Sequence, residues 1–420
     1  MGKIDIVILG ATGFTGKFVT SFFVNITNDP EYSDIGWGIC GRSKQKMEKL
    51  INDIQETGAD VSKITVIECD VTNEQALKHA TASAKVLINC TGPFEDLSDS
   101  ILKSCIETRT HYVDISAEIH QMLNTYHKYN KIAEDANVLI VPSCGLASIP
   151  AEIGFMYLEK QFMGTLKTVE CYVKIDMPKK CMWLIGDHCL VHSGTWNSLV
   201  HVLHNMSAAL QLRRETFGDM IGVEPEEIKR SFLHRKDGNY WIPYPGPDAD
   251  VINMSQKYLL DKNHRSYVHF KSYCMLPLLI HFLVVMAMYL YYYMCRFKWF
   301  RNQLWRHPKF YSLGFFSDRG PTEKNRKGTK YSFTLTGNGW DQSFKDCSQP
   351  NNQSMAVKIS GIDPGYETTA LALAMSALTL LKEYPNMPKG GVVMPGAAFR
   401  DTNIINRLNS NGMKFELIKK

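Results

Sequence analysis

Three glycines spaced three apart, in Gly10-Ala11-Thr12-Gly13-Phe14-Thr15-Gly16, follow directly on the apolar run Ile4-Asp5-Ile6-Val7-Ile8-Leu9. A strand entering a glycine turn and then a helix is the context in which such a loop binds a dinucleotide. The backbone must turn tightly and approach the pyrophosphate, whose charge is met by N–H groups at the helix start. Gly10, Thr12, Gly13, Phe14, Thr15 and Gly16 are therefore the candidate pyrophosphate residues, although the spacing is G-x-x-G-x-x-G rather than G-x-G-x-x-G. A triphosphate-binding P-loop fits less well, because Ala11 replaces its first glycine and Phe18 its Ser/Thr.

After the second strand, Gly41-Arg42-Ser43-Lys44 brings no carboxylate before Glu48. NAD sites place Asp or Glu there for the ribose hydroxyls, whereas Arg42 and Ser43 suit a 2′-phosphate, so NADP is expected in preference to NAD. Asp70, after the third strand, suits either the adenine side or the dipole of the next helix. In Asn89-Cys90-Thr91-Gly92-Pro93-Phe94, the small residues Thr91, Gly92 and Pro93 let a ribose or nicotinamide approach the backbone. Hydride chemistry belongs to the cofactor and the protein supplies a proton donor. Tyr112, Asp114 and Glu118 are the candidates, set against the plainer reading of a buried tyrosine and helix-start carboxylates. No metal site is expected: His188-Cys189, near Cys181 and His192, lacks paired ligand spacing.

Holding these groups together calls for a doubly wound sheet, and the pattern predicts one. Strands are expected at Ile4–Leu9, Gly36–Cys40, Ile64–Cys69, Val86–Cys90, His111–Asp114 and Val138–Val141. They alternate with a helix carrying Phe14, Phe18, Phe22 and Ile26 on one face, then with Lys44–Gln55, a helix opened by a Thr72…Gln75 capping box, Ser98–Glu107 and Glu118–Ala136. Apolar strands alternating with helices mean a parallel sheet that binds ligands at its carboxyl edge. The fold class is thus α/β, a Rossmann-type doubly wound parallel sheet over residues 1–145, with a second α/β domain for substrate or homodimer contacts over 146–270 and 331–390. Residues 391–420 are expected to pack back on this body. The second domain should hold a strand at Lys167–Ile175 and a helix at Ser198–Arg213, with Thr195 or Ser198 as cap.

The 420 residues carry 47 Lys+Arg against 42 Asp+Glu, a net +5. Residues 296–330 alone hold ten Lys+Arg and two Asp+Glu, so the rest of the chain is slightly acidic. Just before this basic stretch, residues 272–295 contain no charged side chain, and about 20 such residues suffice to span a bilayer. Tyr289, Tyr291–Tyr293, Trp299 and Trp305 beside Arg296, Lys298, Arg301 and Arg306 resemble an interfacial aromatic belt with cations. Spanning would split the globular body between two compartments, so residues 272–306 are expected to attach to a lipid surface without crossing it, with Pro277 as a bend. A nucleic-acid partner is not expected, since no stacking motif accompanies the basic stretch. The eleven cysteines form no C-x-x-C and read as reduced thiols. Ile4–Leu9 lacks the flanks of a secretory signal, and Ile6 breaks an N-myristoylation motif.

Gly10–Gly16, Cys40-Gly41-Arg42, Asn89–Phe94, Tyr112-Val113-Asp114, Ser148-Ile149-Pro150-Ala151, Gly337-Asn338-Gly339-Trp340, Asp363-Pro364-Gly365-Tyr366 and Gly396-Ala397-Ala398-Phe399 follow one another over nearly the whole chain. In this order they resemble the saccharopine dehydrogenase-like oxidoreductase family, in its animal, lipid-droplet-associated branch. The resemblance implies a Rossmann domain with a second α/β domain and NAD(P)-dependent oxidoreductase activity. Together with the lipid-attaching stretch 272–306 it leads to the expectation of an enzyme linked to lipid metabolism, held on a lipid droplet or cytosol-facing membrane and acting on an apolar or amphipathic small molecule. A non-catalytic droplet protein that keeps the Rossmann fold is the alternative. Ala147 stands where the family pattern has a carboxylate, and Ala117-Glu118 where Gly-Glu is usual.

Overall fold

β1 (Ile4–Leu9), β2 (Trp37–Gly41), β3 (Thr65–Glu68), β4 (Ala84–Asn89), β5 (His111–Asp114) and β6 (Leu139–Val141) form one parallel sheet with the short strand Gly391–Val392. Its order is Gly391–Val392, β6, β5, β4, β1, β2, β3, and β1 pairs in parallel register with both β2 and β4. Ile6, Val7 and Ile8 are fully buried, as expected of a central strand covered on both faces. The chain reverses its winding between β1 and β4, and the crevice at the carboxyl ends of those strands is where such sheets take ligands.

The computed structural model describes residues 3–178, 191–222, 225–262, 267–275, 278–343 and 350–418, with the backbone alone for 219 and 278–285. Cys181, His188, Cys189 and Pro277 lie outside the described residues. The chain divides into two units. The first comprises Met1–Ser116, Asn124–Leu146 and Gly365–Asn411, and the second Ala117–Leu123, Ala147–Pro364 and Gly412–Lys420. This differs from the expected division, which left 331–390 in the second domain. Helix Glu367–Glu383 belongs to the first unit, packing on α1 (Phe14–Ile26) and on strands β4 and β5. It is buried without a break from Thr368 to Leu380, and a helix apolar all round carries no periodicity to say which sheet it covers.

Helix Phe94–Thr108 in this unit starts four residues before the expected Ser98. The buried face of α1 is Gly16, Val19, Thr20, Phe23 and Val24, not the Phe14/Phe18/Phe22/Ile26 stripe. Phe14 and Phe18 instead meet Tyr366, with ring centroids at 4.8 and 5.7 Å. Helix Glu74–Ala82 is capped by Asn73, whose side chain accepts from the Ala76 N–H, because the Thr72 hydroxyl is already donated to Asp70 Oδ1.

The second unit is built on a mixed sheet in the order Lys414–Ile418, Gln353–Ile362, Lys330–Asp341, Gly164–Asp176, His269–Met275, Asn239–Pro243, His234–Lys236. Helix Ile149–Gln161 packs on Lys330–Asp341 and Gln353–Ile362. Helix Ser193–Phe217 starts earlier than expected, capped by His192 through the Gly194 N–H, which places Thr195 and Ser198 inside it. The uncharged run is not one helix. Residues 272–275 complete the strand His269–Met275, paired on both sides, and the helix that follows is Leu278–Met294, 17 residues long. Among the described residues no helix is long and apolar enough to cross a membrane.

Candidate dinucleotide site

The glycine loop leaves β1 with Gly10 at φ +81°, its N–H bonded to the Cys40 carbonyl at 2.9 Å. That left-handed backbone favours glycine, and a Cβ here would lie 2.8 Å from Thr91 Cγ2. A Cβ on Gly16 would lie 2.2 Å from the Gly10 carbonyl oxygen, so the helix rests against the turn only because Gly16 has no side chain. Gly13 is exposed and is the N-cap residue of α1, with no side-chain cap. The first-turn N–H groups of a helix lack intrahelical acceptors, and those of Phe14, Thr15 and Gly16 follow directly on the glycine turn. Thr12, Phe14 and Thr15 are half-buried around them. A cradle that a Cβ would fill, opening on a helix start, fits a pyrophosphate.

The other candidates come from the carboxyl ends of the neighbouring strands. Arg42, after β2, is exposed. Ser43 caps helix Lys44–Gln55 through the Lys46 N–H, so its hydroxyl has a structural duty that the sequence reading did not assign. Asp70 accepts from the Thr72 N–H and hydroxyl, which hold its carboxyl below the usual range, with the Arg42 charge acting the same way. Thr91 bonds through its N–H and hydroxyl to Asn89 Oδ1, and Pro93 is the N-cap of helix Phe94–Thr108. With Gly92 exposed between them, these residues form the second wall beside Gly10. No carboxylate of β2 or its turn faces the position a 2′-phosphate would take beside Arg42, in keeping with NADP.

Behind this edge lies a buried polar network. Asn89 Nδ2 donates to the Tyr112 hydroxyl at 2.9 Å, which donates to Asp114 Oδ2 at 2.8 Å. Asp114 Oδ1 accepts from the Ser116 N–H and hydroxyl and from the Ser143 N–H. Ser143 sits at φ +61°, a conformation uncommon outside glycine, and its hydroxyl bonds to the Ser116 carbonyl. Tyr112 is 0% and Asp114 1% exposed. Burial raises both groups from their ordinary values, and for Asp114 the Ser116 and Ser143 N–H groups pull the other way. The network ties the loops after β4, β5 and β6 together, and presents neither candidate donor to solvent. Glu118 belongs to the second unit, also 0% exposed, accepting from the Ser198 hydroxyl at 2.6 Å and from the Ala117 N–H.

Glu152 and Asp248 form a buried acidic pair that the sequence does not announce. Glu152 Oε2 accepts from the Ser255 hydroxyl at 2.9 Å. Asp248 is fully buried, neither of its oxygens has a hydrogen-bond partner among the described residues, and burial together with the Glu152 charge raises it well above the carboxylate range. The signal for it, an Asp-rich start of helix Asp248–Asp261, reads in sequence as an ordinary helix N-terminus. Among the described residues no group of three or more metal-ligating side chains forms.

Residues 6–141 match the family described as the saccharopine dehydrogenase NADP binding domain. Over 98% of its length the chain is 31% identical to the bovine saccharopine dehydrogenase-like oxidoreductase, covering 97% of that protein, and the human one matches at the same identity and coverage. It is 28% identical to a lipid droplet localized protein of Caenorhabditis elegans, over 99% of both chains. Among solved structures, the saccharopine dehydrogenase (L-Glu forming) of Saccharomyces cerevisiae superposes with a TM-score of 0.54 at 13% identity, covering 99% of this chain and 100% of that one, a likeness of fold.

Proposed function

The chain belongs to the saccharopine dehydrogenase-like oxidoreductase family, and from that premise we propose that it is an NADP-dependent oxidoreductase acting on an apolar or amphipathic small molecule at a lipid-droplet or cytosol-facing membrane surface. The observation that carries the reading is the cradle of Gly10, Gly13 and Gly16 at the sheet's switch point, with Arg42 and no acidic residue at the end of β2. In it the first turn of α1 receives the pyrophosphate, Arg42 the 2′-phosphate, and the Thr91–Pro93 turn lets the ribose and nicotinamide lie close to backbone. Bound NADP(H) supplies the hydride chemistry. The nematode relative's droplet name supports the lipid surface as the workplace. Titrating purified protein with NADPH and NADH tests this. Saturable binding with NADPH preferred, and NADPH oxidation with lipid aldehydes, ketones or imines, is the expected result; no binding of either dinucleotide would refute it.

A second reading, a non-catalytic droplet protein that binds NADP without turning it over, is favoured by one specific observation. Tyr112, Asp114 and Glu118 are all buried and hydrogen-bonded within the protein. NADPH binding without turnover across those substrate classes would select it.

A further inference from the structure

Among the described residues, eight of the large apolar side chains exposed to water fall in one short stretch from Met286 to Leu313. Helix Leu278–Met294 and the turn after it expose Met286, Tyr289, Leu290, Tyr293 and Phe297, and the next helix, Lys298–Arg306, exposes Trp299; Phe297 and Trp299 are each 68% exposed. The first four recur at helical spacing and so share one face of the helix, and Phe297 follows in the turn. The opposite face is occupied: Met288, Tyr291 and Tyr292 pack with Trp196, Val200 and Leu203 of helix Ser193–Phe217, where Cys295, Phe300 and Leu304 are buried. Phe310, 74% exposed, adds a further aromatic ring just after that next helix. A concentration of exposed apolar side chains in one short stretch marks an interaction site.

Charge identifies the occupant. Arg296, Lys298, Arg306 and Lys309 are exposed along the same stretch, and residues 272–317 contain no Asp or Glu. Two copies pressed together through this face would bring those cations against their like, which disfavours self-association. An anionic phospholipid surface complements them and also accepts the aromatic rings at headgroup depth.

We propose that the outer surface formed by Met286, Tyr289, Tyr293, Phe297, Trp299 and Phe310, with its rim of arginines and lysines, is a monotopic docking surface for the anionic phospholipid monolayer of a droplet. It deepens the lipid-surface part of the function proposed above and rests on that part alone. The rings enter the headgroup layer while the opposite face stays in the protein core, so attachment needs no crossing segment.

The test is flotation of the purified full chain with triolein emulsions coated by phosphatidylcholine, with or without phosphatidylserine. The protein is expected to float, more strongly with phosphatidylserine and less so at high salt. The triple variant Arg296→Gln/Lys298→Gln/Arg306→Gln should weaken binding to the phosphatidylserine surface about 100-fold, at about fivefold per cation. Phe297→Ser/Trp299→Ser/Phe310→Ser should abolish flotation at every salt concentration while leaving the melting temperature unchanged, because these side chains are not in the core. An apolar variant that floats like the parent would overturn the proposal, as would a parent that stays in solution as a dimer which this variant dissolves. NADPH binding is read in parallel: a parent that floats without binding NADPH refutes the oxidoreductase reading alone, and one that binds NADPH without floating refutes the docking surface alone.

Discussion

Gly16 carries the tightest contact of the cradle, since its absent Cβ would sit 2.2 Å from the Gly10 carbonyl oxygen. Gly16→Ala is expected to abolish NADPH binding in a fluorescence titration and to cost about 1–3 kcal/mol of stability from the forced backbone shift. Arg42 is exposed, so its removal tests recognition without disturbing the fold. Arg42→Ala should weaken NADPH about 10- to 100-fold, the range of a hydrogen bond to a charged group, and change NADH less than twofold. Equal losses for both dinucleotides would mean that Arg42 does not meet the 2′-phosphate. Tyr112→Phe leaves Asn89 and Asp114 without the phenolic oxygen between them. The expected cost is about 1–3 kcal/mol in a thermal melt, with NADPH binding retained, as befits a residue that ties strand ends together.

Elements show where local pattern suffices and where neighbours decide. The helix from Lys44 to Gln55 and the strand from His111 to Asp114 have the limits read from sequence, because caps and short apolar runs are local signals. Helix Asp248–Asp261 is different: its first residue is an acid buried beside Glu152 on another helix, and nothing near it in the chain announces that. With its folded value raised above the unfolded one, Asp248 resists ionising in the fold. Stability is therefore lost as pH rises above about 4, the ordinary aspartate value. Asp248→Asn, which removes that ionisation, is expected to raise stability by about 1–3 kcal/mol at pH 7.5. The gain should shrink toward pH 4, and thermal melts across that range would show it; a gain independent of pH would place its origin elsewhere.

At the scale of the whole molecule, the stretch 272–306 is a structural part of the second unit as well as a surface. Residues 272–275 lie in strand His269–Met275, and Cys295, Phe300 and Leu304 are buried with Trp196. Excising 272–306 should therefore unfold the second unit, seen as rapid proteolysis within 147–364, whereas substitutions confined to the exposed face should leave it resistant. Strand–glycine–helix order, the absence of an acid after β2, and the family motifs were legible in the sequence by itself, because each depends on residues adjacent in the chain. They determined the Rossmann-type unit and its cofactor class. The tertiary structure alone decided that the uncharged run splits between a paired strand and a 17-residue helix. It also decided that Glu367–Glu383 covers the first sheet and that Tyr112 and Asp114 are consumed by Asn89, Ser116 and Ser143. Hydropathy counts charges along the chain, while strand pairing and burial are set by partners distant in sequence, and those partners settled each of these outcomes.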